Sequence, residues 1–205
     1  MNLQLHNLGC VRGNRQLFKN LSASVSPGEL LRVRGANGAG KTSLLRMLCG
    51  LMLPTEGYIT WQGAPLASQR SEFGGSLVYL GHAAAVKDEL SPLENLLDAV
   101  ALVGMPAAKL AATDALKDAG LRGFEKTPVR YLSQGQRRRS ALARLTLSRY
   151  APLWVLDEPF NALDLAATAW LASLIEAHLQ NAGMVVLTSH QDLPINAARP
   201  KELAL

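Results

Sequence analysis

Cysteine is scarce in this 205-residue chain, and its two examples, Cys10 and Cys49, lie too far apart in sequence to form a metal-binding pair. Cytosolic disulfides are rare, so both are expected as buried apolar residues. Charge is also sparse, at 18% against 48% hydrophobic residues, a balance that excludes intrinsic disorder. No run approaches the roughly 20 apolar residues that a membrane-spanning helix needs; residues 99–108 come nearest and are broken by Gly104 and Pro106. The opening Met1-Asn2-Leu3-Gln4-Leu5 lacks the charged-then-apolar order of a signal peptide. A protein kept in the cytosol, unless a partner holds it at a membrane, is the expectation. Internal repeats, a long coiled coil and low-complexity segments are missing too. The formal charge of +5 is modest, and outside Arg137-Arg138-Arg139 the arginines are scattered, with no interleaved aromatics. That pattern speaks against nucleic acid, and apposition to an anionic membrane surface accounts for the surplus equally well.

What is present fits one compact α/β domain with a sizeable core. Leu3, Leu5 and Leu8 mark a first strand, residues 17–25 a second before the Pro27-Gly28 turn, and Leu30–Arg34 a third that runs into a glycine-rich loop. Residues 41–50 carry Leu44, Leu45 and Leu48 at helical spacing and stop at a glycine. Strand character returns over 57–61 and 77–80. Ser91-Pro92-Leu93-Glu94 is a helix start, with a serine cap, proline at the first position and an acid in the first turn. Alanine-rich 106–120 predicts another helix ending at Gly120. Residues 84–148 thus form a mostly helical insertion, followed by strand 153–156, helix 165–179 and strand 184–188. Such alternation around a helical insert predicts a parallel sheet with a lateral subdomain.

Three segments carry chemistry. Gly35-Ala36-Asn37-Gly38-Ala39-Gly40-Lys41-Thr42, followed by Ser43, fits the pattern G-x-x-x-x-G-K-[ST]. Its glycines let backbone N–H groups turn inward around a polyphosphate, and the following helix offers its positive end to the same anions. Lys41 can reach the β- and γ-phosphates, and the Thr42 hydroxyl can ligate Mg²⁺. A chance glycine-rich turn is disfavoured by the strand before it and the helix after it. Leu153-Trp154-Val155-Leu156-Asp157-Glu158 is an apolar strand ending in two acids, at the sheet edge where ligands collect in α/β folds. There Asp157 can hold the metal, through water, and Glu158 can polarise an attacking water as general base. Leu132-Ser133-Gln134-Gly135-Gln136-Arg137-Arg138 offers a serine, a glycine and a helix start, a second γ-phosphate site. Its plain alternative is a polar helix cap followed by a solvated basic face, and that is the reading taken for Arg137–Arg139.

The last segment resembles the LSGGQ-type signature of the ABC ATPases, and the resemblance extends over essentially the whole chain. It implies one P-loop NTPase domain over 1–205. The mainly parallel RecA-like core would carry an N-terminal antiparallel β-subdomain and a helical signature subdomain over roughly 84–148. It implies ATP and Mg²⁺ as cofactors, and an ATP-dependent homodimer with Ser133, Gly135 and Gln136 acting on the nucleotide of the other copy. Pro159-Phe160-Asn161-Ala162-Leu163-Asp164 resembles the family's interface loop, and His190, after Thr188-Ser189, its γ-phosphate-contacting histidine. A lone histidine is usually structural, and His6 and His178 are read that way. Two positions depart from the family. Gly81-His82 stands where it carries glutamine, so His82 would act at a bridging water with a pH-dependent charge. Arg12 stands where most relatives stack an aromatic on adenine, and a guanidinium plane can also stack on a base.

Within the family, Gly81-His82, Ser91-Pro92-Leu93-Glu94-Asn95-Leu96 and the short stretch after His190 are most similar to the haem-exporter ATPases of bacterial cytochrome c maturation. That likeness implies a peripheral subunit on the cytoplasmic face of the inner membrane, paired with integral membrane subunits. Its ATP cycle would drive haem delivery or release of a haem-loaded chaperone. No C-x-x-C-H motif or evident axial histidine is present, so haem would be met only indirectly. Alternatives that stay open are another small ABC exporter, a soluble non-transport ABC ATPase and a nucleotide-sensing module without turnover.

Overall fold

A computed structural model describes residues 2–104, 108–148, 150–189, 195 and 200–205. The chain divides into two compact units. One holds Met1–His82, Tyr150–Pro159 and Glu176–Leu205; the other holds Ala83–Arg149 and Phe160–Ile175.

The first unit contains two sheets. β1 (Leu3–Arg12), β2 (Arg15–Val25), β4 (Glu56–Trp61) and β5 (Ala64–Pro65) form an antiparallel sheet in the order β2-β1-β4-β5. β3 (Leu30–Arg34), β6 (Leu77–Leu80), β7 (Leu153–Leu156), β8 (Met184–Thr188) and β9 (Lys201–Ala204) form a parallel sheet in the order β6-β7-β8-β3-β9. The four residues of β7 and the five of β8 are all buried, as strands covered on both faces must be. Leu44, Leu45, Met47 and Leu48 of α1 (Lys41–Leu48) join the core formed with Leu31, Val33, Val155 and Val186. Cys10 and Cys49 are free thiols inside this core, and burial pushes the Cys49 thiol upward.

Local chemistry explains the helix ends. After α1, Gly50 takes φ 70°, while the Leu51 N–H reaches the Arg46 carbonyl and the Gly50 N–H that of Met47, a Schellman closure that needs a residue at positive φ. α2 (Arg70–Gly74) is a short helix on the same unit. It, β5 and β9 are elements that periodicity had not indicated.

In the second unit, α3 (Pro92–Ala101) starts at a full capping box. Ser91 N–H donates to Glu94 Oε2 at 2.8 Å and the Glu94 N–H returns to Ser91 Oγ at 3.3 Å. The Ser91 hydroxyl also holds the Glu94 carboxyl below its ordinary value. α4 (Lys109–Asp118) is shorter than the expected 106–120, and residues 105–107 lie outside those described. α5 (Gln134–Leu142) and α6 (Arg144–Leu147) follow. α7 (Leu165–Gln180) starts in this unit, where Trp170 packs on the cluster of Leu93, Leu96, Leu116 and Leu121. Among the described residues no helix is long and apolar enough to cross a membrane.

Candidate nucleotide-binding site

β3 delivers the chain into the glycine loop, and α1 leaves from it. A turn closes inside the loop, with Ala39 N–H donating to the Ala36 carbonyl at 3.1 Å. Gly40, the residue capping α1, has φ 107°, and a Cβ there would stand 3.1 Å from Leu17 Cβ and 3.2 Å from the Phe18 ring. Glycine is therefore demanded twice, by backbone angle and by the closeness of β2. Because a glycine cap carries no side chain, the first N–H groups of α1 stay available to an anion. Lys41 Nζ folds back over the loop, donating to the carbonyls of Gly35 at 2.8 Å and Ala36 at 3.3 Å. Ala36, Asn37 and Gly38 are exposed, while Thr42 and Ser43 are half-buried in the first turn.

β7 ends beside that turn. Thr42 Oγ1 donates to Asp157 Oδ2 at 2.7 Å. Asp157 Oδ1 accepts from Thr188 Oγ1 at 2.8 Å, and the same Thr188 oxygen accepts the Glu158 N–H at 2.8 Å. Both acids are buried, and Glu158 adopts φ 49°, a left-handed conformation uncommon for a residue with a side chain and concentrated at functional turns. Thr188 had gone unassigned from the sequence alone. Its one signal there is a single hydroxyl residue closing the otherwise apolar Met184–Thr188. The oxygen donors Thr42 and Asp157 fit a hard cation such as Mg²⁺, which keeps several waters and needs only one or two protein ligands. A cage of three or more His, Cys, Asp or Glu is absent among the described residues.

Burial, followed by the charge of Asp157, pushes the phenol of Tyr79 on β6 above its ordinary value, and Arg46 of α1 draws it partly back. Its hydroxyl would lie 3.3 Å from a Cβ on Gly81, and His82 follows, exposed. Arg12 is exposed at the end of β1 and donates to Met52 Sδ at 3.8 Å. His190 lies outside the described residues.

The signature segment belongs to the second unit and is a capping box in its own right. Ser133 N–H donates to Gln136 Oε1 at 2.9 Å, and Gln136 N–H donates to Ser133 Oγ at 3.2 Å. Gly135 is required because a Cβ there would meet the Ala162 carbonyl at 2.9 Å. The expectation of a solvated face at Arg137–Arg139 is corrected here. Arg138 is buried, Arg137 Nε and Nη2 donate to the carbonyls of Leu132 at 3.2 Å and Arg130 at 2.9 Å, and Arg139 Nη1 donates to Gly120 at 3.3 Å. Guanidinium groups are donors only, and here the carbonyls before α5 engage those of Arg137 and Arg139.

A parallel sheet whose strand ends carry a phosphate loop and a buried acid, with a capped signature helix in a second unit, defines a nucleotide-binding cassette. The family model described as "ABC transporter" matches residues 18–161, and the chain belongs to the ATP-binding subunits of that family. A solved structure from Pyrococcus furiosus, described as a candidate ABC transporter ATP-binding protein, superposes with a TM-score of 0.83 at 26% identity, covering 99% of this chain and 98% of that one. Within the family, the chain groups with the cytochrome c biogenesis ATP-binding export proteins called CcmA. It is 52% identical to that of Dechloromonas aromatica over 99% of both chains, and 52% identical to that of Methylococcus capsulatus over 92% of this chain and 90% of the other.

Proposed function

We propose that this chain hydrolyses ATP between two of its own copies and thereby drives a cytochrome c maturation transporter at the cytoplasmic face of the inner membrane. The observation that carries the chemistry is the chain of hydrogen bonds Thr42–Asp157–Thr188–Glu158 at the rim of the phosphate loop. It links the residues we assign to metal, Thr42 and Asp157, to the residue we assign to the attacking water, Glu158, in one hydrogen-bonded array. The loop N–H groups and Lys41 bind the phosphates. Thr42 and Asp157 would hold Mg²⁺, whose chemistry when bound is to neutralise charge on the β- and γ-phosphate oxygens.

Glu158 accepts a proton from the water that attacks the γ-phosphorus, while the bond to the ADP oxygen breaks. His82 and His190 act beside that water and the γ-phosphate, and Arg12 stacks on adenine. Ser133, Gly135 and Gln136 reach the nucleotide of the opposite copy. ATP then joins the two copies, and loss of the γ-phosphate removes contacts made by both, so the pair opens by a population shift. Integral membrane subunits take up that motion. The relatives' description as cytochrome c biogenesis export proteins supports haem delivery, or release of a haem-loaded chaperone, as the work done.

The test is covalent haem in periplasmic c-type cytochromes in a strain lacking this gene. Restoration by wild type but not by Glu158→Gln, with the variant accumulating as an ATP-bound dimer, is expected. An unchanged haem signal in the deletion strain would remove the haem assignment.

A further inference from the structure

The phosphate loop has a neighbour that neither motif nor periodicity singles out. Arg15 opens β2 directly opposite Arg12 across the β1–β2 hairpin. Their guanidinium groups diverge. Arg12 Nη1 turns to the thioether of Met52, whereas Arg15 Nη1 stands 4.0 Å from where a Cβ on Gly38 would be. Gly38 lies in the middle of the phosphate loop and has no side chain to hold Arg15 off.

The hairpin is anchored where it meets the loop. Leu17 and Phe18 close on Gly40 at 3.1–3.2 Å from its virtual Cβ, and Phe18 is buried in the core. The β1–β2 register shifts between the Cys10–Phe18 and Val11–Gln16 pairs, so a bulge at Leu17 bends β2 where it meets the loop. Just before that bend, Arg15 extends its guanidinium to Gly38 of the loop. Arg15 is exposed, and among the described residues no carboxylate, carbonyl or ring engages it. An unengaged cation, held over a loop built to take anions, adds a second positive charge to that of Lys41.

We propose that Arg15 is a further nucleotide-binding residue whose guanidinium engages the phosphate chain held by residues 35–42. The proposal rests on the reading of that loop as the phosphate site. A planar guanidinium fork matches phosphate oxygens two at a time, which an ammonium does not. Arg15 and Arg12 thereby divide the nucleotide between them, one on the phosphates and the other on the base.

The experiment is displacement of a fluorescent ATP analogue from the full-length protein by ATP and, separately, by tripolyphosphate, which has no base. Arg15→Ala weakens both competitors by about five- to tenfold, the loss of one exposed charge-assisted contact. The loss shrinks as salt is raised, and Arg15→Lys recovers only part of it. Arg12→Ala weakens ATP and leaves tripolyphosphate unchanged. The proposal is overturned if Arg15→Ala binds tripolyphosphate as wild type does, or if it weakens ATP alone, which would place Arg15 on the base or sugar. Lys41→Ala separates the two levels. Should it too bind tripolyphosphate normally, the phosphate-loop reading falls and this proposal with it; a weakened Lys41→Ala beside an unchanged Arg15→Ala overturns the proposal alone.

Discussion

Thr42 and Asp157 are 115 residues apart in sequence and joined by a hydrogen bond of 2.7 Å. One opens the helix after β3 and the other ends β7, and β8 lies between those two strands in the sheet. The intervening strand contributes Thr188, whose hydroxyl completes the array by donating to Asp157 and accepting from the Glu158 N–H.

Thr188→Val keeps the shape of the side chain and removes the oxygen. The Glu158 N–H loses its acceptor and Asp157 a donor in a buried setting, which costs about 1–3 kcal/mol. The expected result is ATP turnover lowered by at least tenfold with little change in nucleotide affinity. Steady-state phosphate release, set beside equilibrium binding, checks it, and unchanged turnover would show that the hydroxyl does not position Glu158.

Gly40→Ala places a methyl group against Leu17 and Phe18 at a backbone angle that L-residues rarely adopt. The strained conformation alone costs about 1–3 kcal/mol. A lower melting temperature and loss of the stabilisation that ATP gives to wild type are the outcomes to look for in paired thermal melts. A variant still protected by ATP would mean that the loop can reshape around the methyl group.

His178 carries a pH prediction. It is buried and stacked on Trp154, with ring centroids 3.8 Å apart, and burial lowers its pKa to about 4. The unfolded chain takes up a proton here near pH 6.5, while the folded chain does so only near pH 4. Between those values the unfolded state binds more protons, so stability falls as the pH drops from about 6.5 toward 4, by up to about 3 kcal/mol. Urea denaturation at pH 7 and pH 5 measures this, and His178→Leu should flatten the slope. An equally steep slope in the variant would assign the effect to other groups.

Arg137→Ala frees the carbonyls of Leu132 and Arg130 and breaks the ion pair with Asp88 at 3.1 Å. The segment before Ser133 then loses its clamp, whereas the phosphate loop is untouched. Roughly tenfold lower ATPase, with nucleotide affinity of the single chain unchanged, is expected from the loss of charged hydrogen bonds. Equal loss of affinity and turnover would point to general misfolding instead.

Much of the local architecture was legible because its causes lie within a few residues of each other. Ser91 with Glu94 starts a helix, Gly50 and Gly120 end helices at positive φ, and Leu153–Leu156 is apolar at every position. The glycine loop is readable for the same reason, since backbone freedom and a following helix are both local properties. Arg137–Arg139 misled because three adjacent cations look solvated in a linear pattern. Arg138 is buried, and Arg137 and Arg139 are engaged by carbonyls of residues 120, 130 and 132 that lie outside the run itself.

The amino-acid sequence by itself determined the elements, the turns that require glycine, and the residue types able to bind phosphate and metal, because each follows from short-range sterics and hydrogen bonding. Only the tertiary structure decided which of them meet. The strand order β7-β8-β3 brings Thr188 between Asp157 and Glu158, and the closing of β2 on Gly40 sets Arg15 over the loop. Such meetings depend on pairing between distant strands, whose register and order are selected by burial across the whole sheet rather than by any one segment.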